Sequence, residues 1–310
     1  MKFSHTSVLL EEMVNHILTK PDGIYVDCTL GGGGHSSALS EHMSEKGLLI
    51  GIDQDEDAIK AAEERLRGAR CKYITVRNNF SHIDSILDEL NIESVDGFIF
   101  DLGVSSYQLD EGERGFSYMN NGKLDMRMDR RQQLTAYDVV NTYKEEDLET
   151  IIREYGEERW AARIASFICD RRQKKPIEMT TDLVQIIKSA IPAGARKTGP
   201  HPAKRTFQAL RIEVNDELNI LKTTMEKCVS HLKAGGRLGV ITFQSLEDRI
   251  IKNTFREMAT DCICPPDIPI CICNHHRSVK EIGKAIKPSE HEIRENPRAR
   301  SAILRVVEKV

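Results

Sequence analysis

The sequence predicts an α/β protein built on a doubly wound, largely parallel sheet that is interrupted by an all-helical insertion. Short apolar runs alternate with helix-like stretches up to residue 101, as in parallel sheets with helical crossovers. From about residue 107 to residue 211 only helical stretches occur. They are Glu145–Tyr155, Glu158–Arg171 and Thr181–Ala190. The pattern predicts a discontinuous sheet domain, residues 1–106 and 212–310, around a helical domain of residues 107–211.

The first half of the sheet is predicted as four strands separated by helices. Each strand is a short apolar run, and each helix has apolar residues at helical spacing. The predicted strands are Ile24–Val26, Leu48–Asp53, Lys72–Val76 and Val95–Asp101. The predicted helices are Val8–Leu18, Asp57–Leu66 and Ser81–Leu90, the last with Ser81 as its N-cap. Because the carboxyl ends of parallel strands meet at one edge of a sheet, a ligand is expected there.

The second half of the sheet follows the insertion. The sequence predicts a long helix from Glu213 to Leu232, a strand Arg237–Phe243 and a last strand Ala302–Val307. Between these strands lies a piece rich in Cys and Pro, residues 261–276, which is predicted to form a loop. The sheet is therefore split in the sequence after its fourth strand.

The composition is that of an ordinary globular protein with a sizeable core, since 40% of the 310 residues are apolar. No apolar run approaches the roughly 20 residues of a membrane helix, and the first residues lack the apolar core of a signal peptide. Four of the eight cysteines are scattered and four crowd into one segment, unlike a secreted disulfide framework. These features predict a cytoplasmic protein with no membrane partner, and they are compatible with a monomer or a homodimer.

The formal net charge of -4 conceals an uneven distribution. Residues 1–104 contain 9 Lys and Arg against 18 Asp and Glu, a balance of -9, whereas residues 151–211 contain 13 against 6, a balance of +7. An acidic region suits a cationic or hydroxyl-rich small ligand, and a basic region suits a phosphate backbone. A charge excess can also simply solvate a surface. We favour nucleic acid as the partner of the basic region.

The segment Asp27–His35 joins the first predicted strand to a helix through four consecutive glycines. Glycines let the backbone adopt positive φ and approach a ligand closely, and the N–H groups that begin the helix can meet a polar group. The second strand ends at Asp53, where a carboxylate can accept both hydroxyls of a ribose. The pair predicts a nucleoside pocket, although Asp53 could instead be an ordinary acid at a helix start.

The acid that precedes the glycines indicates which nucleoside binds. S-adenosylmethionine carries a sulfonium cation and an amino group, so the Asp27 carboxylate would attract it but would repel the pyrophosphate of a dinucleotide. In addition, His35 follows the last glycine, where the Gly-x-Gly-x-x-Gly pattern of dinucleotide enzymes has a small residue. We therefore favour S-adenosylmethionine as the cofactor over NAD(P), with a ligand-free glycine loop as a third interpretation.

Two further segments continue the predicted ligand edge. Phe80 follows the third strand, where its ring could stack on adenine or belong to the core. The segment Asp101–Ser105 leaves the fourth strand, where a methyl acceptor must lie in line with the sulfonium. An exocyclic amine as acceptor needs groups that pull on its N–H bonds, and Asp101 could do this or bind the cofactor. Asp101 is therefore a candidate catalytic residue, and Ser105, at the end of the same segment, is the second candidate.

The chain as a whole resembles the bacterial 16S ribosomal RNA cytosine-N4 methyltransferase family, known as RsmH or MraW. The matching segments are His5–Leu10, Asp27–His35, Asp101–Ser106, Gln108–Asp110, Glu113–Ser117, Leu124–Asp129, Tyr155–Arg159, His201–Arg211, Val214–Asn215, Ser245–Arg249 and Asn296–Ser301. Two residues depart from the family pattern. Tyr107 stands where many relatives have Pro, and Gln244 stands where relatives commonly have His.

The resemblance implies a Rossmann-like class I methyltransferase sheet with an inserted helical domain. It also implies methyl transfer from S-adenosylmethionine to N4 of a decoding-centre cytosine in 16S rRNA, with the 30S subunit or its RNA as partner. In such enzymes one set of residues binds the cofactor. Here they are Gly33, Gly34, His35, Asp53, Phe80, Asp101 and Gln108, of which His35 and Gln108 rest on the resemblance alone. The alternative is a non-catalytic RNA-binding ribosome assembly factor that has kept this fold.

Candidate RNA-binding residues belong to the insertion. They are Arg114, Phe116, Lys204, Arg205 and Arg211, with Arg171, Arg172, Lys174 and Lys175 as further candidates. The cations are expected to contact phosphates, although a cation on a helix face can also be merely solvated. Phe116 is expected either to stack on a splayed base or to lie in the core.

The loop piece contains the pairs Cys262-x-Cys264 and Cys271-x-Cys273, followed by two histidines. Enough ligands are present for a tetrahedral zinc site, but such sites usually place roughly two to four residues between paired cysteines. From the sequence we therefore assign no metal-binding residue. A zinc site, an irregular loop and a disulfide remain the three alternatives for this segment. A catalytic metal is not expected, because sulfonium chemistry needs no Lewis acid.

Overall fold

The computed structural model describes residues 7–197, 199–262, 264, 270, 272–273 and 275–310. The chain folds into two compact units, each of which has most of its contacts within itself. The sheet unit consists of residues 1–103 and 218–310, and the helical unit consists of residues 104–217. The sequence placed the helical domain at residues 107–211, so each end of the observed unit lies within six residues of the predicted end.

Seven strands within the described residues form the sheet of the sheet unit. They are β1 (Ile24–Asp27), β2 (Leu48–Asp53), β3 (Lys72–Arg77), β4 (Val95–Asp101), β5 (Leu232–Thr242), β6 (Val279–Glu281) and β7 (Ile303–Lys309). In the order β3-β2-β1-β4-β5-β7-β6, the first five strands are parallel, and β7 is antiparallel to both of its neighbours, β5 and β6. The predicted α/β fold is confirmed. The edge strand β6 was not predicted, because Val-Lys-Glu is too short and polar to form an apolar run.

Helices cover the sheet and make up half of the helical unit. In chain order they are α1 (Leu10–Ile17), α2 (Gly34–His42), α3 (Glu56–Leu66), α4 (Ile83–Glu89), α5 (Ser106–Asp110), α6 (Ala136–Thr142), α7 (Glu145–Glu154), α8 (Ala161–Arg172), α9 (Thr180–Ala190), α10 (Lys204–Asn215), α11 (Leu221–His231), α12 (Ser245–Met258) and α13 (Glu290–Glu295). Helices α5 to α10 belong to the helical unit, and β-pairing in its described part is confined to one bridge between Lys123 and Met179. None of the described helices has both the length and the apolar character that crossing a membrane requires.

The predicted continuous helix from Glu213 to Leu232 is wrong. Helix α10 ends at Asn215, Asp216 adopts the left-handed conformation with φ of 49°, and α11 begins only at Leu221. Neither Gly nor Pro marks this break in the sequence. Asp enters the left-handed region more readily than most residues do, so it can end a helix without a glycine.

Two glycines allow α1 to lie close to the centre of the sheet. A Cβ at Gly97 of β4 would lie 2.9 Å from the Ile17 side chain, and a Cβ at Gly239 of β5 would lie 2.7 Å from the Met13 sulfur. Ile17 and Met13 are fully buried, and each such side chain contributes about 1.5–3 kcal/mol to folding. The packing holds the central strands in place, and their carboxyl ends carry the candidate site.

Candidate functional site

The turn between β1 and α2 is hydrogen-bonded to both neighbours of β1. Cys28 donates its N–H to the Ile99 carbonyl of β4 at 2.9 Å, and Leu30 donates its N–H to the Ile52 carbonyl of β2 at 2.9 Å. Strand order reverses direction between β1 and β4, and open α/β sheets bind ligands at the carboxyl ends of the strands at such a point. The glycine turn is therefore fixed at the expected binding position.

Two residues of this turn need to be glycine. Gly31 and Gly33 have φ of 50° and 73°, in the left-handed region that residues with a side chain avoid. A Cβ at Gly33 would also lie 3.1 Å from both Cα and Cβ of Ala62 in α3. The turn thus presents bare backbone, and α2 begins directly after it at Gly34.

Asp27 ends β1 and is only 1% exposed. Its Oδ2 accepts a hydrogen bond from the Ser36 hydroxyl at 2.7 Å, and its Oδ1 accepts the Thr29 N–H at 3.2 Å. Burial raises the pKa of Asp27, while the Ser36 hydrogen bond and the nearby His35 partly oppose the rise. Asp27 therefore connects the end of β1, the glycine turn and the first turn of α2.

Asp53 ends β2 and supports the glycine turn from the other side. Its Oδ2 accepts the Gly31 N–H at 2.8 Å, and its Oδ1 accepts the Asp55 N–H at 2.8 Å. Burial raises the pKa of Asp53 to about 6, although the two backbone N–H groups oppose the rise. Asp55 rather than Asp53 caps α3, so the ordinary helix-start role belongs to its neighbour. Each Asp53 oxygen has a second lone pair with which to accept a hydroxyl of a diol.

Asp101 ends β4 beside His35. The His35 Nδ1 lies 3.7 Å from Asp101 Oδ2, and the His35 Nε2 lies 3.0 Å from the Val8 carbonyl oxygen. Burial raises the pKa of Asp101 to about 6, with His35 opposing and Asp27 adding to the rise. Asp101 Oδ1 is buried and has no hydrogen-bond partner among the described residues. A buried acceptor without a hydrogen bond lowers stability by about 1–3 kcal/mol, so a ligand that donates an N–H or O–H to Oδ1 would be bound favourably here.

The structure brings these groups together at one edge of the sheet, which we call the strand-tip rim (residues 27–35 with Asp53 and Asp101). Besides burial, the charge of Asp27 raises the pKa of both other carboxyls, so the three groups interact electrostatically. The rim is acidic and partly lined by bare glycine backbone. Such a surface binds a cation, an amine or a ribose diol, and it opposes a second anion such as pyrophosphate.

Phe80 lies in a 3₁₀ turn that follows β3. Its half-buried ring packs edge-on against Phe100 of β4, with ring centroids 5.4 Å apart and planes at 77°. The Asn79 side chain accepts the Ser81 N–H and caps this turn. The prediction that Ser81 is the N-cap of a helix is therefore wrong. Stacking of Phe80 on adenine stays a prediction.

Ser105 and Gln108 belong to the helical unit, where they form a capping box at the start of α5. The Ser105 hydroxyl accepts the Gln108 N–H at 3.2 Å, and the Gln108 side-chain oxygen accepts the Ser105 N–H at 3.1 Å. Gln108 is 5% exposed. The pair fixes the beginning of the helix, and the predicted roles of Ser105 in catalysis and of Gln108 in cofactor binding stay predictions.

Three of the predicted RNA-binding cations lie on α10. Lys204 and Arg205 are exposed in its first turn. Arg211 instead makes a two-pronged ion pair with Glu217, through contacts of 2.7 Å and 2.8 Å. Arg205 also has a carboxylate neighbour, since its guanidinium lies 4.0 Å from Glu158. This contact is longer than the two contacts of Arg211, so the exposed pair is better placed to meet a phosphate.

Arg114 and Phe116, the other two predicted RNA-binding residues, are buried in the helical unit. Arg114 is 2% exposed, and its guanidinium donates to the carbonyls of Arg127 and Met128 at 3.0 Å and 3.3 Å. Phe116 is 5% exposed and belongs to the apolar core of the unit. Of its two expected positions, stacking on a base or burial in the core, the structure shows the core position. In this structure both residues hold the loops of the unit together, and contact with RNA stays a prediction.

Two hydroxyl side chains, one in the rim and one directly beside it, were missed by sequence reasoning. Ser36 binds the buried Asp27 carboxylate, as described above, and the Thr29 hydroxyl accepts the Asp101 N–H at 2.6 Å. A signal was present, since both residues are small and polar and stand in or beside the glycine-rich segment. A buried carboxylate such as that of Asp27 needs hydrogen-bond donors.

Comparison with known proteins gives a family match over residues 2–310, to the model described as MraW methylase family. Three similar relatives are each named ribosomal RNA small subunit methyltransferase H. The one from Halothermothrix orenii is 56% identical over 99% of this chain and 98% of its own length. Those from Clostridioides difficile and Clostridium botulinum are 54% and 56% identical, each over 100% of both chains.

The raised pKa of Asp53 predicts that the stability of the protein depends on pH. In the folded chain the pKa of this carboxyl is about 6, whereas in the unfolded chain it has the ordinary value of 3.8. The folded state therefore binds more protons between these values, and the free energy of unfolding should fall as the pH rises from about 4 to 6. In Asp53→Asn this fall should be smaller, as measured by urea denaturation at several pH values.

The matched control for this prediction is Asp88→Asn, which changes an exposed carboxyl on α4. It should keep the wild-type dependence on pH. An Asp53→Asn protein whose stability falls as steeply with pH as that of the wild type would contradict the assignment of the raised pKa to Asp53.

Proposed function

This chain belongs to the MraW methylase family, and we propose on that premise that it methylates the exocyclic N4 of a cytosine at the decoding centre of 16S rRNA. It is a methyltransferase whose methyl donor is S-adenosylmethionine. The observation that carries the proposal is the strand-tip rim, where Asp27, Asp53 and Asp101 surround a glycine turn at the reversal point of the sheet. The bound donor supplies an electrophilic methyl group on a sulfonium.

The residues of the rim fit this donor. Asp53 can accept both ribose hydroxyls while keeping its bonds to the Gly31 and Asp55 N–H groups. The buried Asp101 Oδ1, which lacks a partner among the described residues, fits the amino group of the donor or of the acceptor base. The acidic surroundings favour a sulfonium cation over a pyrophosphate, so they also argue against a dinucleotide.

We assign to Asp101 the task of accepting a hydrogen bond from the cytosine amine. The lone pair of that amine is delocalised into the ring, and a carboxylate that pulls on an N–H bond makes nitrogen a better nucleophile. With a pKa of about 6, Asp101 is ionised at neutral pH and can take the proton that the amine releases. Gln244, where relatives commonly have His, donates its side-chain N–H to Glu247 at 2.7 Å and helps to begin α12.

The partner in this proposal is 16S rRNA, either free or in the 30S subunit, and the place of action is the cytoplasm, where ribosomes assemble. The positive balance of residues 151–211 and the exposed Lys204 and Arg205 support RNA binding by the helical unit. Phosphate contacts position an RNA, and base contacts specify it.

The reaction is tested by incubating the protein with labelled S-adenosylmethionine and 30S subunits, followed by mass spectrometry of the nucleosides. We expect N4-methylcytidine, and an Asp101→Asn protein should show a kcat lower by about 100-fold or more. Label on a ring carbon or a ribose hydroxyl would contradict the proposed acceptor. Donor binding without any transfer would instead favour the assembly-factor alternative.

RNA binding by α10 is tested with the double variant Lys204→Ala/Arg205→Ala. If both cations contact phosphates, the affinity for 16S rRNA should fall, and the slope of log affinity against log salt should flatten by about 1.4. Filter binding at several salt concentrations gives both quantities. Lys46→Ala, which removes an exposed cation from the sheet unit, is the control and should bind RNA as the wild type does. An unchanged salt slope in the double variant would show that these cations do not meet phosphate.

A further inference from the structure

Three cysteine sulfurs converge in the piece of chain between α12 and β6. The Sγ atoms of Cys262, Cys264 and Cys273 all lie within 4.8 Å of one another. The sulfurs of Cys262 and Cys273, which are eleven positions apart in the sequence, are separated by 3.8 Å. Folding of this piece, rather than closeness in sequence, has brought the two Cys segments together.

The distance excludes a disulfide and fits two ligands of one metal ion; without a metal, the Cys273 thiol can donate a weak hydrogen bond to Cys262 across it. Two thiolates on one tetrahedral zinc ion, each about 2.3 Å from the metal, are about 3.8 Å apart, as the sulfurs of Cys262 and Cys273 are. Sulfurs joined in a disulfide are only about 2.05 Å apart. The short Cys-x-Cys spacing, which argued against zinc in the sequence, therefore does not prevent thiols from both segments from facing a common centre.

We propose that Cys262, Cys264 and Cys273 bind one Zn²⁺ as thiolate ligands. Soft thiolates select zinc over hard cations such as Mg²⁺ and Ca²⁺, and in a reducing cytoplasm thiols stay available for a metal instead of forming a disulfide. Binding converts the three thiols to thiolates, and the released protons pass to solvent. Structural zinc sites have four ligands; Cys271, two positions before Cys273, lies outside the described residues.

The surroundings indicate what such an ion would do. Ile270 and Ile272 are 74% and 72% exposed, so burial of these large apolar side chains does not hold this piece of chain in place. The loop is joined to the fold at its end, where the Ser278 N–H donates to the Met258 carbonyl at 2.8 Å. A metal would supply the cross-link that burial does not, as it does in small zinc-stabilised modules.

The proposed site lies away from the strand-tip rim. Val279, at the start of β6, pairs with Lys309 at the end of β7, and Arg237, early in β5, pairs with Glu308 of β7. The loop therefore enters the sheet at the edge formed by the amino ends of the parallel strands, opposite the carboxyl ends. The ion would stabilise the edge strand and take no part in methyl transfer.

The proposal is tested on the full-length protein, purified in reducing buffer from zinc-supplemented cells, by elemental analysis. We expect about one zinc ion per chain in the wild type. The double variant Cys262→Ser/Cys273→Ser should lose at least nine-tenths of it. The matched control is Cys169→Ala, which removes a thiol from the helical unit and should keep the zinc content of the wild type.

Thiol footprinting of the wild type keeps the test valid even if the double variant fails to fold. With zinc bound, Cys262, Cys264 and Cys273 should resist alkylation, and after removal of the metal by a chelator they should react, as read by peptide mass spectrometry. Wild-type protein without zinc, equal alkylation before and after chelation, or a Cys262–Cys273 disulfide in the reduced preparation would each overturn the proposal. A double variant that folds and keeps its zinc would overturn it as well.

Discussion

The strand-tip rim depends on burial of carboxylates beside a turn that contains four consecutive glycines. Removing an ionised carboxylate from water is costly unless hydrogen bonds replace the lost solvation. At this site the replacements come from the turn and from the start of α2, since Asp27 accepts from Thr29 and Ser36 while Asp53 accepts from Gly31. The same bonds fix the turn, so the carboxylates and the glycines hold one another in position.

The hydrogen bonds within the protein replace the hydration of these carboxylates only in part, which leaves room for a ligand to donate further hydrogen bonds. Burial raises the pKa values of Asp53 and Asp101 to about 6, as expected for carboxylates whose lost hydration is replaced only in part. A cationic nucleoside with a ribose diol and an amine supplies what is lacking, namely donors and a positive charge. The donor is then recognised by groups that the fold leaves poorly solvated.

Much of this arrangement could be predicted from the sequence, because strand tips and glycine turns have local signatures. Asp53 and Asp101 follow apolar runs directly, so sheet topology alone places them at one edge. Ser36 and Thr29 were missed because the sequence does not show which group a hydroxyl will hydrogen-bond. Their partners, Asp27 and the Asp101 N–H, are seen only in the folded structure. The break at Asp216 escaped prediction, and the meeting of Cys262 with Cys273 was only one of the alternatives for its segment. The first depends on a backbone conformation that Asp tolerates, and the second on long-range folding.

A crystal structure of this protein with S-adenosylmethionine bound tests the role of the strand-tip rim most directly. We expect both ribose hydroxyls within hydrogen-bond distance of the Asp53 carboxylate, with the adenosine beside the glycine turn and the methyl group facing the Asp101 side of the rim. A nucleoside bound elsewhere on the sheet, or a ribose that does not contact Asp53, would contradict it.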